Sequence, residues 1–375
     1  MTNANSIVNF MAQALDLARR AGPETDPNPR VGCVLVNTDG TVIGQGRTQQ
    51  VGGPHAEVMA LRDAAAHGLS VAGATAFVTL EPCAHHGRTG PCCDALAAAG
   101  IGRVVASIAD PNPLVAGQGF ERLRAAGVEV QVGPGAQEAR ELNIGFFSRM
   151  VRKTPWVRLK AAASLDGKTG LRNGVSQWIT SEPARADGHA WRARASAVLT
   201  GVGTVLEDDP RLDVRLVETT RQPHVVLVDS QLQTPLGAQI FMGGRAVWIY
   251  AAAQDGAKAA ALEARGASIT FLPNAQGKVD LVAMLRDLAR REVNELHVEA
   301  GHKLNGSLLR EGLVDELLVY LAPKLIGDGL EMASGMHAGG PLTALTGALP
   351  LEFRSADMVG PDLRIVARVA GRDAF

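Results

Sequence analysis

His55-Ala56-Glu57, then Glu81-Pro82-Cys83, then Pro91-Cys92-Cys93, all within residues 55–93, form the stretch around which the rest of the chain is organised. Zinc favours imidazole nitrogen and thiolate sulfur in a tetrahedron, and a hydrolytic zinc keeps its fourth position for water. His55, Cys83 and Cys92 would supply three ligands and leave that position open. A water held there has its pKa lowered toward about 7 and becomes a nucleophile at neutral pH. Glu57 follows His55 by two residues, so from the first turn of a helix it approaches that water without being a ligand, as a proton shuttle.

Zinc nucleobase deaminases share this arrangement: His-x-Glu, then Pro-Cys and a second Cys, with the Glu as general acid/base. The departure here is that eight residues, Ala84 to Pro91, separate the two cysteines instead of two. Taken singly, a histidine at a helix start is usually structural and a buried cysteine an inert small hydrophobe. Together they read as a site. Val78-Thr79-Leu80 predicts a strand and Cys92 onward a helix start, so both thiolates fall at element ends. Cys33, inside the apolar run Val31–Val36, reads as core, and Cys93 as a bystander.

At 375 residues the chain exceeds a comfortable single core, which predicts two domains. A net charge of −1 with 4% aromatic residues gives neither an electrostatic footprint for a polyanion nor stacking platforms for single strands, which argues against nucleic acid as a partner. No basic-then-apolar leader and no apolar run of about 18 residues is present, so no membrane association is expected. Four cysteines, three of them clustered, fit metal binding in a reducing, cytoplasmic setting better than disulfides.

Phe10, Met11, Ala14, Leu15 and Ala18 recur at helical spacing and predict an amphipathic first helix. A strand from Val31, its hairpin partner Thr41–Gly46 across Asp39-Gly40, and a helix Ala56–Ala66 follow. Beyond the cysteines come a strand Arg103–Ile108, a helix around Phe120–Arg124 and a strand Val128–Val130. The alternation predicts an α/β domain, a mixed sheet with helices on both faces, closing near residue 150. After the linker Arg152–Pro155, strands are predicted at Trp156–Ala163, Ala197–Thr200, His224–Val228, Ala246–Tyr250, Ser268–Leu272, Glu295–Glu299, Glu316–Ala322 and Leu363–Val369. With helices at Leu281–Arg291 and Leu304–Glu311 these make a second α/β domain.

Asn28-Pro29-x-Val31-Gly32, His55-Ala56-Glu57, Glu81-Pro82-Cys83-x-His85-His86-Gly87-Arg88-Thr89, Pro91-Cys92 and Asp110-Pro111-Asn112-Pro113 resemble the bifunctional riboflavin-biosynthesis family, a diaminohydroxyphosphoribosylaminopyrimidine deaminase fused to a 5-amino-6-(5-phosphoribosylamino)uracil reductase. The resemblance implies a cytidine-deaminase-like α/β/α domain at 1–150 and a dihydrofolate-reductase-like domain at 151–375, with zinc and NADPH as cofactors. In this family the eight-residue interval is expected; Gly90 stands where a second proline often precedes Pro91. His85, His86 and Arg88 would face a phosphorylated substrate beside the zinc, Arg88 gripping phosphate by forked hydrogen bonds. A solvated surface charge is the competing reading for Arg88. Asn28 could hydrogen-bond the pyrimidine edge, or be only a turn residue before Pro29.

In the second half Gly201-Val202-Gly203-Thr204 and Gly301–Gly306 are glycine pairs that alone read as tight turns. The resemblance continues through Lys160–Lys168, Ser176–Thr180, Gly203–Leu212 and Val298–Gly301. It implies that Ala162, Trp178, Thr204, Asp208, Ser230 and the Gly301 turn line NADPH. It places Ser176, Arg192, Leu212, Arg215 and Glu299 toward the substrate and its phosphate, with Lys160 and Asp208 near the sugar C1 that receives hydride. An edge-strand charge competes as a reading of Lys160, and a turn before Pro210 for Asp208. His302 departs from the smaller residue or proline expected there. The family also implies a homo-oligomer, dimer or tetramer. Competing readings are a zinc deaminase of another base with a degenerate second domain, a nucleic-acid deaminase, and a non-catalytic protein with structural zinc.

Overall fold

The computed structural model describes residues 4–85, 90–113 and 115–375. The chain forms two compact units, one running to Lys153 and also taking Phe375, the other Thr154–Ala374. The first comprises α1 (Ala4–Arg19), β1 (Gly32–Val36), β2 (Val42–Arg47), α2 (Ala56–Ala66), β3 (Thr75–Val78), α3 (Cys92–Ala98), β4 (Arg103–Ala106), α4 (Gln118–Ala125), β5 (Glu129–Val132), α5 (Ala136–Leu142) and α6 (Ile144–Arg152).

Its sheet runs β2-β1-β3-β4-β5, with β1 antiparallel to both neighbours and β3, β4 and β5 parallel. Side chains alternate across a strand, and both faces are apolar. Cys33, Leu35, Ala76, Val78, Val104 and Ala106 pack with Ala56, Ala60, Leu96 and Leu123 on one side. Val34, Val36, Phe77 and Val105 meet Met11, Ala14 and Leu15 on the other. Helices therefore cover both faces, as the pattern predicts. The strand before Glu81 ends at Val78, which leaves Thr79 free to accept the Gly32 N–H through its hydroxyl at 3.1 Å.

The second unit comprises β6 (Trp156–Ser164), β7 (Lys168–Leu171), α7 (Glu182–Arg194), β8 (Ala197–Gly201), α8 (Val202–Asp208), β9 (His224–Val228), β10 (Val247–Ala251), α9 (Gly256–Glu263), β11 (Ala267–Phe271), α10 (Leu281–Arg290), β12 (Glu295–Val298), α11 (His302–Arg310), β13 (Glu316–Ala322), β14 (Gly329–Glu331), β15 (Leu351–Val359) and β16 (Asp362–Val369). Nine strands form one sheet, β11-β10-β9-β8-β12-β6-β13-β16-β15, parallel as far as β13 and antiparallel beyond it. A separate ribbon pairs β14 with β7.

Charge is buried inside this sheet. Arg158, Glu316 and Arg368 are register partners on β6, β13 and β16, and each is nearly inaccessible. Arg158 bonds Glu316 at 2.5 Å and Glu295 at 2.8 Å, while Arg368 closes on the other oxygen of Glu316 at 3.1 Å. Such ions persist in the interior only when paired and hydrogen-bonded.

Among the described residues, no helix is long and apolar enough to cross a membrane.

Candidate functional site

In the first unit the position of His55 follows from the contact of α2 with β2. A Cβ on Gly46 would lie 2.2 Å from the Ala56 carbonyl oxygen, so glycine lets the start of α2 rest directly on the strand. His55 is the N-cap of α2, extended at φ −75°, and its ring makes no capping bond, which leaves it free for another partner. Cys92 opens α3. Its backbone N–H donates to Cys83 Sγ at 3.4 Å, so a helix N-terminus favours negative charge on that sulfur.

His55 Nδ1 lies 3.5 Å from Cys83 Sγ and 3.4 Å from Cys92 Sγ, and the three donor atoms fall within 4.8 Å of one another. Ligand bonds of about 2.3 Å to sulfur and about 2.05 Å to nitrogen, opened at the tetrahedral angle, put N and S about 3.6 Å apart. The residues therefore fit zinc. Among the described residues this is the one such cluster of three or more donors.

Glu57 is buried, 3% exposed. Burial, then the Cys83 charge, raises its pKa to about 7, suited to a group that must both take and give a proton. A dication at the triad would draw that value down again. The nearby Cys92 pulls the Cys83 thiol down to about 4, while Cys83 and burial drive the Cys92 thiol up.

Behind Cys83, Glu81 organises the next loop. Its Oε2 accepts from the N–H groups of Asp110 and Gly117 at 3.1 and 3.0 Å, and its Oε1 from Gly119 and Phe120 at 2.9 and 3.4 Å. Of the residues expected at the substrate, His85 is exposed beside Cys83 in sequence, and Asn28 is half-buried in a turn, its N–H donated to Thr25. His86 and Arg88 lie outside the described residues. Cys33 and Cys93 are buried in the core, the latter within 3.4 Å of Asp94.

In the second unit, one cleft gathers eight of the residues named from sequence: Lys160, Ala162, Ser176, Trp178, Thr204, Asp208, Glu299 and Gly301. They come from β6, the loop after β7, α8 and the turn between β12 and α11. A Cβ on Gly301 would meet only Thr204 Oγ1, at 3.8 Å, so this turn presents backbone N–H groups at the start of α11 to open space. Such a cradle suits the phosphates of a dinucleotide.

Four of the expected residues lie off the cleft lining. Arg192 bonds Glu299 at 2.7 and 3.0 Å and also donates to the Asp213 carbonyl. Arg215 pairs with Asp213 at 2.6 Å. Leu212 is packed in the core, and Ser230 accepts the Val279 N–H at 3.2 Å. Burial pushes the Glu299 carboxyl up, but Arg192, then Lys160 at 3.7 Å, outweigh it and hold the group ionised. Gln177 and Thr180, in the stretch that carries the resemblance but given no role there, also line the cleft, as do Arg185 and Glu207, which were not singled out from sequence. Arg185 follows Trp178 by seven residues and stacks on it. His302, the sequence departure, also lines the cleft, its Nδ1 2.8 Å from Ser334 Oγ.

Comparison with known proteins finds relatives for both units. Residues 4–108 match the cytidine and deoxycytidylate deaminase zinc-binding region, and residues 155–363 match the RibD C-terminal domain. The riboflavin biosynthesis protein RibD of Escherichia coli K12 is 46% identical over 94% of this chain and 97% of its own length; that of Aquifex aeolicus is 44% identical over 86% and 89%. Among solved structures, Acinetobacter baumannii RibD superposes with a TM-score of 0.88 at 36% identity, covering 98% of this chain and all of that one. A Thermotoga maritima diaminohydroxyphosphoribosylaminopyrimidine deaminase/5-amino-6-(5-phosphoribosylamino)uracil reductase gives 0.85 at 32% identity, covering 98% and 99%. The expected fold is borne out: a cytidine-deaminase-like unit followed by a reductase unit of the dihydrofolate-reductase kind. The chain belongs to the RibD family, bifunctional enzymes of riboflavin biosynthesis that join a zinc-binding deaminase domain to a reductase domain of the NADPH-dependent type.

Proposed function

We propose that the first unit, to about residue 150, deaminates 2,5-diamino-6-(5-phosphoribosylamino)pyrimidin-4(3H)-one, and that the second reduces the ribosyl group of the product to ribityl, giving 5-amino-6-(5-phosphoribitylamino)uracil. The observation that carries the first step is the convergence of His55, Cys83 and Cys92 at tetrahedral edge lengths with buried Glu57 beside them. His55, Cys83 and Cys92 hold zinc, which when bound supplies Lewis-acid activation of water. Glu57 carries protons from the attacking water, so that one water hydrogen ends on the departing amine, released as ammonia, and the other on the ring nitrogen, as the carbon–nitrogen bond breaks and the oxygen stays as the carbonyl. His85, His86, Arg88 and Asn28 are assigned to the substrate.

In the second unit Ala162, Trp178, Thr204, Asp208, Ser230 and Gly301 are assigned to NADPH, the hydride donor. Ser176, Glu299, Arg192, Leu212 and Arg215 are assigned to the substrate. Arg192, off the cleft lining, acts through Glu299, which it holds and which in turn holds Lys160. Lys160 and Asp208 position the sugar C1 for hydride.

Four free cysteines support a reducing, cytoplasmic setting. A homo-oligomer, dimer or tetramer, is supported by the apolar side chains that β15 presents outward, Phe353 at 75% and Met358 at 66% exposure. Sedimentation of monomer alone would refute it.

Glu57→Gln tests the site assignment. It should keep zinc and NADPH-dependent reduction of the deaminated intermediate while deamination falls at least about 100-fold. Undiminished deamination would remove Glu57 from the chemistry.

A further inference from the structure

Both ligands assigned to the second unit carry a phosphate monoester: NADPH at its 2′ position, the pyrimidine substrate on its sugar. The arginines named for such a group from sequence are engaged elsewhere, Arg192 with Glu299 and the Asp213 carbonyl, Arg215 with Asp213. Lys160 shares Glu299. The cleft therefore has to find its uncompensated cation in another side chain.

Arg185 meets that need. It stands on α7 and lines the same cleft as Trp178, Thr204, Asp208 and Gly301. Its guanidinium carbon lies 4.6 Å from the centroid of the Trp178 ring, a cation–π stack that fixes the plane of the fork. Trp178 is 63% exposed, so the pair forms an open wall of the cleft. One Arg185 N–H donates to the Thr180 carbonyl at 2.8 Å. Among the described residues no carboxylate lies within ion-pair distance of it, whereas Lys160, Arg192 and Arg215 each have one. A planar, permanently charged fork with spare donors is the side chain best matched to a phosphate dianion.

We infer that Arg185 is a phosphate-binding specificity residue of the reductase cleft, held by Trp178 to grip a ligand's phosphate monoester. This rests on the cleft being the cofactor and substrate site. The test is direct titration of the full-length protein with NADP⁺ and with NAD⁺, followed calorimetrically, in the parent and in Arg185→Gln and Arg185→Lys, together with the KM for the phosphorylated substrate.

If the partner is the cofactor's 2′-phosphate, Arg185→Gln weakens NADP⁺ about 10- to 100-fold and leaves NAD⁺ unchanged. If it is the substrate's phosphate, KM rises by a similar factor and neither dinucleotide is affected. Arg185→Lys, which keeps the charge but not the fork, recovers part of either loss. Equal weakening of NADP⁺ and NAD⁺ would mean that Arg185 merely supports the Trp178 wall, and unchanged affinities and KM would mean that it faces no phosphate; either overturns the inference. Gly301→Val separates the two claims. NADP⁺ affinity that survives this change together with Arg185→Gln places the dinucleotide outside the cleft and overturns both, while loss with Gly301→Val alone keeps the cleft and rejects Arg185 as the cofactor's phosphate partner.

Discussion

Glu81→Gln is a change of one atom that should be felt throughout the first unit. The carboxylate collects four backbone N–H groups from the segment between Asp110 and Phe120, two on each oxygen, at 2.9–3.4 Å. An amide keeps one oxygen and turns an NH₂ group toward the other two donors. The cheaper orientation gives up Gly119 at 2.9 Å and the weak Phe120 contact at 3.4 Å, keeping Asp110 and Gly117. Hydrogen bonds to a charged group contribute about 1.5–3 kcal/mol each, so the loss is about 3 kcal/mol at the low end. For a unit of this size each kcal/mol lowers Tm by roughly 2–4 °C, which predicts a fall of about 6–12 °C. Differential scanning calorimetry of the full chain, with zinc release followed by a chromogenic chelator, identifies the transition that belongs to this unit. The transition of the second unit is the internal control. A zinc-releasing transition within about 2 °C of the parent would refute the reasoning, because the four donors would then be satisfied without the carboxylate.

Three further outcomes follow from the same packing. Gly46→Ala puts a Cβ 2.2 Å from the Ala56 carbonyl oxygen and must displace the start of α2; it should cost about 1–3 kcal/mol and weaken zinc in a chelator competition, and an unchanged Kd and Tm would show that the helix yields freely. Glu316→Gln leaves Arg158 and Arg368 short of a counter-charge inside the sheet and should destabilise the second unit by about 3–5 kcal/mol in urea unfolding, whereas a loss below about 1 kcal/mol would mean that the pair is not buried in solution. The same residue sets a pH dependence. Burial pushes the Glu316 carboxyl up, but Arg158 and Arg368 outweigh it and hold its pKa below the usual carboxylate value. A depressed carboxylate stabilises the fold fully above its unfolded pKa of about 4.3 and loses that contribution as pH falls through the folded value. The Tm of the second unit should therefore drop below about pH 4, and less steeply in Glu316→Gln; parallel curves would contradict this.

What was legible in the chain was local. The apolar stripe Met11, Ala14, Leu15 and Ala18 marks α1 and is buried as that spacing requires. The helix predicted at Ala56–Ala66 is α2, with His55 as its N-cap, and Cys92 opens α3 as its position after Pro91 suggests. β15 was not legible, since the alternation Leu351-Glu352-Phe353-Arg354 is only four residues long and breaks at Ser355, where the pairing with β16 shifts register. Nor was α7, although Ser181 before Glu182-Pro183 is a helix-start signal, because its Gly188 and five charged residues weaken the periodicity.

The engagement of Arg192 was equally hidden. Its partner Glu299 lies 107 residues away, and only the parallel pairing of β8 with β12 brings the two together. The family resemblance nominated Arg192 and Arg215 for the substrate and its phosphate. The fold gives them carboxylates and leaves Arg185 open on the cleft.

The central claim is that one chain hydrolyses an amine in its first unit and then reduces a sugar in its second. Product mass analysis of the purified, zinc-loaded protein given the diaminopyrimidinone ribosylamine phosphate, with and without NADPH, tests it most directly. The account predicts replacement of one amine by oxygen without the cofactor, and that same replacement plus the gain of two hydrogens with it. Gain of two hydrogens without loss of the amine would contradict the order of the steps, and an unchanged substrate in both tubes would contradict the assignment itself.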